Sequence, residues 1–175
     1  MTSIIKVDQI QNAAGGTPTA ADLGLNVSGS VLQVKQATAT NALDFNTTLN
    51  IGTTIFTGPT ITPTSTSSKI LVMAQHSTEL ATGSSGSMSG ASYIYTSIYE
   101  GNTQLATNGH SGSLANAHGY YVPVNMRQGA SGSLLYSPNT TSPLTFYIKC
   151  SGGTNVNGVR WLFYGCAMTV MEIAG

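Results

Sequence analysis

The side chains able to take part in acid–base, nucleophilic or metal chemistry are few and scattered. The carboxylates are Asp8, Asp22, Asp44, Glu79, Glu100 and Glu172, and the imidazoles are His76, His110 and His118. Glycoside hydrolysis needs two carboxyl groups about 5–9 Å apart across one bond. Asp44 with Glu79 or Glu100 could in principle form such a pair, but nothing in their spacing joins them. No GxSxG elbow, HExxH, Walker loop or GxGxxG after a strand occurs, and Gly83-Ser-Ser-Gly-Ser87 lacks the helix and lysine of a phosphate cradle. His110 and His118 stand eight residues apart in a Ser/Gly/Asn stretch. A histidine on a threefold axis would supply three metal ligands, yet that spacing is no metal signature and exposed loop histidines are the commoner case. The reading is a non-enzyme without cofactor or metal.

Cys150 and Cys166 are too few for a disulfide framework or a zinc site on one chain. Both fall in apolar, strand-like segments, which reads as buried free thiols, with a disulfide between neighbouring strands as the alternative.

Composition narrows the field further. The chain has 175 residues and 18.1 kDa, the size of one domain with a short appendage. Six basic and six acidic side chains leave a formal charge of zero, and charged residues are 7% of the total against about a quarter in ordinary soluble domains. Serine and threonine together number 44, beside 20 glycines. Six scattered cations cannot neutralise a run of phosphates, so nucleic acid is excluded as a partner. Long surface helices need charged flanks, which disfavours an all-α fold. No apolar run approaches the roughly 18 residues needed to cross a bilayer as a helix, so membrane insertion is not expected. Met1–Gln11 lacks the uninterrupted apolar core of a secretory signal. A neutral, charge-poor monomer is prone to self-association, so its surface is expected to be covered by copies of itself or by a larger particle.

The elements that must position these residues are strands. Residues 1–28 stand apart: an apolar segment with Ile4, Ile5, Val7 and Ile10, a Gly/Thr/Pro stretch, and one possible helical turn before Leu23 and Leu25. That is too little to bury a core, and it reads as an arm ordered by what it packs on. From residue 29 onward, β-type runs alternate with turn signals. Leu32 and Val34 alternate with Gln33 and Lys35, and Ile51–Ile61 is rich in Thr, Ile and Phe but broken by Gly58-Pro59. Tyr93, Tyr95 and Tyr99 share one face of Ser92–Tyr99. Tyr120–Met126 and Leu144–Cys150 are further strands, and 81–90, 108–119 and 129–133 read as loops. This is an all-β chain, an antiparallel jelly-roll sandwich. In Lys69–Gln75 both faces are apolar. In Trp161–Ile173, Trp161, Phe163, Ala167, Met171 and Ile173 occupy one face and Leu162, Tyr164, Cys166, Met168 and Val170 the other. A sandwich covers only one of these faces, and the simplest cover for the second is another copy.

The opening Ile4-Ile-Lys-Val-Asp-Gln-Ile-Gln-Asn12 and Gly15–Leu25 resemble the N-termini of fibre-like and receptor-binding virion proteins of tailed bacteriophages. Gly29-Ser-Val-Leu-Gln-Val34, Ile61-Thr-Pro-Thr-Ser-Thr-Ser-Ser-Lys-Ile-Leu-Val72 and Thr169-Val-Met-Glu-Ile173 resemble their head domains, which are similar to the trimeric jelly roll of the C1q and tumour-necrosis-factor type. The resemblance covers both ends and Ile61–Ala74 well, and residues 41–50 and 80–139 poorly. It implies a virion structural protein, with residues 1–28 docked on another virion protein through Ile4, Ile5, Val7, Ile10, Leu23 and Leu25. It also implies a homotrimeric head, residues 29–175. In such a trimer Tyr93, Tyr95 and Tyr99, with Met168, Val170 and Glu172 of the last strand, form the subunit interface. Otherwise the tyrosines stack on glycan or cover the sheet, and Glu172 is a strand end turned to water or to a neighbouring subunit. Loops on a rigid β scaffold commonly carry recognition. His110, His118, Tyr120, Tyr121 and Arg127 are therefore the candidates for contact with a host-surface glycan or protein. The competing expectation is a capsid decoration or capsid fibre that binds no receptor.

Overall fold

The computed structural model describes residues 11, 15–18, 28–41, 43–45, 50–82, 92–105, 113–119, 126–154 and 159–175, with 80–82, 92–94, 113–119, 126–128, 151–154 and 159–160 described by their backbone alone. Ten strands run in chain order: β1 Val31–Ala39, β2 Leu43–Phe45, β3 Thr54–Ile61, β4 Lys69–Thr82, β5 Ser92–Glu100, β6 Thr103–Gln104, β7 Ser113–Gly119, β8 Met126–Tyr136, β9 Leu144–Thr154 and β10 Val159–Ile173. They form two antiparallel sheets. One has the order β1-β10-β4-β8, with β2 on the far end of β10. The other has the order β3-β9-β5, with β6 and β7 both paired to β5. The eight longer strands are thus dealt between the two sheets as in a jelly roll, which is the fold class the alternation implied.

Between the sheets lies a core of β-branched and aromatic residues. Ile70 and Val72 of β4, Ile98 of β5, Phe146 and Ile148 of β9, and Phe163, Met168 and Val170 of β10 are all completely buried. Phe163 meets Phe45 edge-on at 5.7 Å, so the short β2 covers the upper end of this core. Cys150 and Cys166 are buried free thiols within it, and burial pushes the Cys166 thiol up to about 11, far from the reactive range.

Four stretches fold differently from the sequence expectation. Residues 113–119 and 129–133 are not loops but lie within β7 and β8. Their Ala, Ser and Gly residues have weak intrinsic strand preference, and pairing with β5 and β4 overrides it. Gly58-Pro59 does not break β3. Thr57 pairs with Tyr147 and Thr60 with Thr145, so two residues oppose Phe146 in a bulge, where proline's missing N–H does no harm. In β1, the polar Gln33 faces inward, while Val34 stands 52% exposed on the outside.

Candidate functional site

Strand β10 decides which side chains the larger sheet shows to the outside. Trp161 and Phe163 point into the sandwich, and strict alternation would continue the inward set through Ala167, Met171 and Ile173. Between Tyr164 and Ala167 the register to β4 shifts by one, at Gly165 with φ +55°. This bulge inserts one residue and inverts the parity of everything after it. Cys166, Met168, Val170 and Glu172 therefore point inward, all buried in their own chain, and Ala167, Thr169, Met171 and Ile173 point outward. Met168, Val170 and Glu172 cannot be the subunit interface, because no second copy can reach them. A glycine inside an otherwise apolar strand was the available signal for this inversion.

Residues directly opposite in neighbouring strands share a sheet face. Val34 pairs with Met171, Met171 with Leu71, and Leu71 with Leu135, so four apolar side chains cross the outer face of β1-β10-β4-β8 in one rung. Leu135 is 58% exposed, and Leu71 and Met171 are half-buried. Val31, opposite Ile173, extends the band toward the strand end, and Met73 extends it toward the middle. Next to it the face turns polar in a groove of about 570 Å³ lined by Gln36, Gln75, Ser131, Ser133, Thr169 and Met73 among others. The second apolar face expected for Lys69–Gln75 is real, as Leu71 and Met73. That of the last strand consists of other residues than those expected, and Val34 and Leu135 were not expected at all.

Beneath one end of the band lies a buried carboxylate. Glu172 Oε2 accepts a hydrogen bond from Gln33 Nε2 at 2.6 Å, and its Oε1 accepts from the Thr64 backbone N–H at 2.6 Å and from Thr64 Oγ1 at 2.7 Å. Gln33 Nε2 also donates to the Thr62 carbonyl at 2.7 Å. Ser68 turns its buried hydroxyl toward the same carboxylate without closing a hydrogen bond of normal geometry. Burial pushes the Glu172 carboxyl up, but these donors outweigh it and hold the group below the usual carboxylate range. The clasp joins β1, the β3–β4 connection and β10. Gln33, Thr62–Ser68 and Glu172 belong to the three head segments that carry the resemblance to phage heads, so those distant motifs meet at one carboxylate. Glu172 is neither in water nor at a partner.

The outer face of the smaller sheet is aromatic and polar. Tyr99 is nearly buried there, its hydroxyl donating to Gln104 Oε1 at 3.2 Å. Lys149, 6% exposed, lies over the Tyr99 and Tyr147 rings at 5.4 and 4.8 Å. It donates to the Gly101 carbonyl at 2.6 Å and to Asn102 Oδ1 at 3.0 Å, which pins the β5–β6 turn. Replacing Lys149 with methionine should free that turn and cost about 2 kcal/mol in urea unfolding, the scale of hydrogen bonds to a charged group. Tyr95 shares this face, half-buried, on the opposite side of the sandwich from the apolar band, and Tyr93 pairs with His118 of β7. Arg127 pairs with Glu79 in the other sheet. His118 and Arg127 thus lie in strands rather than loops. His110, Tyr120, Tyr121, Ile4, Ile5, Val7, Ile10, Leu23 and Leu25 fall outside the described residues. Asp44 and Glu79 both pair with Leu162 from opposite sides, which puts a buried leucine between them. Among the described residues no three His, Cys, Asp or Glu side chains gather.

No protein-family model and no curated protein matches the chain. Solved structures that resemble it include the infectious bursal disease virus VP2 subviral particle, with a TM-score of 0.47, 15% identity, and coverage of 82% of this chain and 33% of that one. The same virus's T13 viral particle gives 0.49 and 16%, covering 98% and 36%, and its Gt strain 0.47 and 17%, covering 83% and 34%. The chain thus spans about a third of each.

Proposed function

We propose that this chain is a non-enzymatic virion structural protein whose jelly-roll head assembles as a trimer through the outer face of β1-β10-β4-β8. The observation that supports this most is the rung Val34–Met171–Leu71–Leu135, an apolar band four strands wide in a chain with only 7% charged residues. Exposed contiguous apolar surface marks interaction sites, and neutral copies do not repel one another. The N-terminal segment 1–28 docks the protein on the particle, and the head contacts a host-surface glycan or protein. The last two statements rest on the resemblance to phage virion proteins. The band itself speaks for assembly alone, and this favours the purely architectural reading as the alternative.

Light scattering of the full chain should give three times 18.1 kDa. Val34→Asp combined with Leu135→Asp should give 18.1 kDa and a monomer that still unfolds cooperatively in urea, because both side chains lie on the surface of the chain and only the association term is lost. A monomeric wild type, or a trimer untouched by both substitutions, would refute the interface. Purified head should compete with the particle for host cells if it binds a receptor. Failure to compete, with the trimer intact, leaves the architectural role.

A further inference from the structure

His76 was assigned no role by the sequence, and its setting is unlike that of any other titratable group described. It points inward from β4, opposite the Gly165 bulge of β10, and is 3% exposed. Nε2 lies 2.9 Å from Thr96 Oγ1 of β5, in the other sheet, and Nδ1 lies 3.0 Å from Thr78 Oγ1 of its own strand. Phe163 of β10 meets the ring at 5.4 Å and 70°. The contact with Thr96 therefore crosses the sandwich and ties one sheet to the other.

A neutral imidazole has one N–H to donate and one nitrogen to accept with, and a threonine hydroxyl can serve either. Both needs are met here, so the neutral ring is fully satisfied. The imidazolium would find two hydroxyl acceptors but, among the described residues, no counter-charge. Opposite His76 stand Ala130 on β8 and the bulge residue Cys166 on β10. Thr96 in turn pairs with Cys150 of β9 and Ala115 of β7. The described titratable groups directly opposite the ring or its Thr96 partner are the two thiols, Cys166 being held neutral up to about 11. Glu79 of β4 lies on the opposite face of that strand, and Glu172 is six residues further along β10 at the far end of the core. Lys149 of β9 sits on the outer face of its sheet, over tyrosine rings.

We propose that His76 is an acid-operated latch: neutral, it holds the two sheets of the head together, and on protonation it releases them. Burial lowers the His76 pKa from 6.5 to about 4. The sign follows from which state takes up the proton. Between pH 6.5 and 4 the unfolded imidazole binds a proton that the folded one refuses, so stability is complete above pH 6.5 and falls with decreasing pH. Each unit lowers the folding constant about tenfold, and the whole window lowers it by about 300-fold. The latch stands whether or not the head is trimeric.

The test is urea unfolding of the full chain at pH 7, 6, 5 and 4.5, followed by fluorescence of the buried Trp161. The wild type should lose about tenfold in folding constant per unit below pH 6.5. His76→Gln should be flat from pH 6.5 to 5, and His110→Gln with His118→Gln should keep the wild-type slope. A flat wild type, or an unchanged slope in His76→Gln, overturns the proposal. Should His76→Gln not fold, the ring resonances of the wild type decide: His76 staying neutral below pH 5 supports the latch, and titration near pH 6.5 overturns it.

Discussion

Replacing Glu172 with alanine should cost about 3 kcal/mol, the upper end of the scale for hydrogen bonds to a charged group. The carboxylate collects Gln33 Nε2, the Thr64 N–H and Thr64 Oγ1, and without it these donors lose their shared acceptor and β1, the β3–β4 connection and β10 lose the group that joins them. Glu172→Gln should recover part of the loss only, because its amide N–H2 must face a group that is itself a donor. Gln33→Ala should cost less, about 2 kcal/mol, since Glu172 keeps its Thr64 contacts. The clasp also carries a pH signature distinct from that of His76. Glu172 titrates below its ordinary value in the fold, so its contribution is complete above about pH 4.5 and is lost as the pH falls through the lower folded value. Unfolding curves at pH 7 and at pH 3 check both points. Equal stability of Glu172→Ala and wild type at pH 7 would dismiss the clasp as a stabilising device.

Gly58→Ala should destabilise the head by about 3 kcal/mol, the upper end of overpacking costs. A Cβ built on Gly58 lies 2.3 Å from Met168 Sδ and 2.9 Å from the Phe146 carbonyl oxygen. Met168 can shift only within a filled core, and the Phe146 carbonyl belongs to the central strand of its sheet. Gly129→Ala is the matched control. It too lies in a strand, but a Cβ there meets nothing within 4 Å, so the change should be neutral or stabilising by about 0.5 kcal/mol. Thermal unfolding of the two variants side by side tests the ranking. If Gly58→Ala unfolds with Gly129→Ala, the bulge is roomier than its geometry states.

What the sequence determined by itself is whatever depends on local pattern. Two-residue alternation, β-branched and aromatic runs, and punctuation by Gly, Pro and Ser specify strands and an antiparallel sandwich. The burial of both cysteines and the second apolar face of Lys69–Gln75 follow from the same reading, because β4 keeps strict alternation along its inward face. The tertiary structure decided what depends on partners far along the chain. Gly165 inverted the parity of β10, so Met168 and Val170 became core and Met171 became surface. Whether a lone glutamate meets water or a cluster of donors depends on segments 108 and 139 residues away. The apolar band is non-local too: Val34, Leu71, Leu135 and Met171 lie on four strands and meet only through sheet register. A periodic pattern states which residues share a strand face. Only pairing and bulges state which face is turned inward, and only the assembled sheets turn isolated apolar residues into a surface.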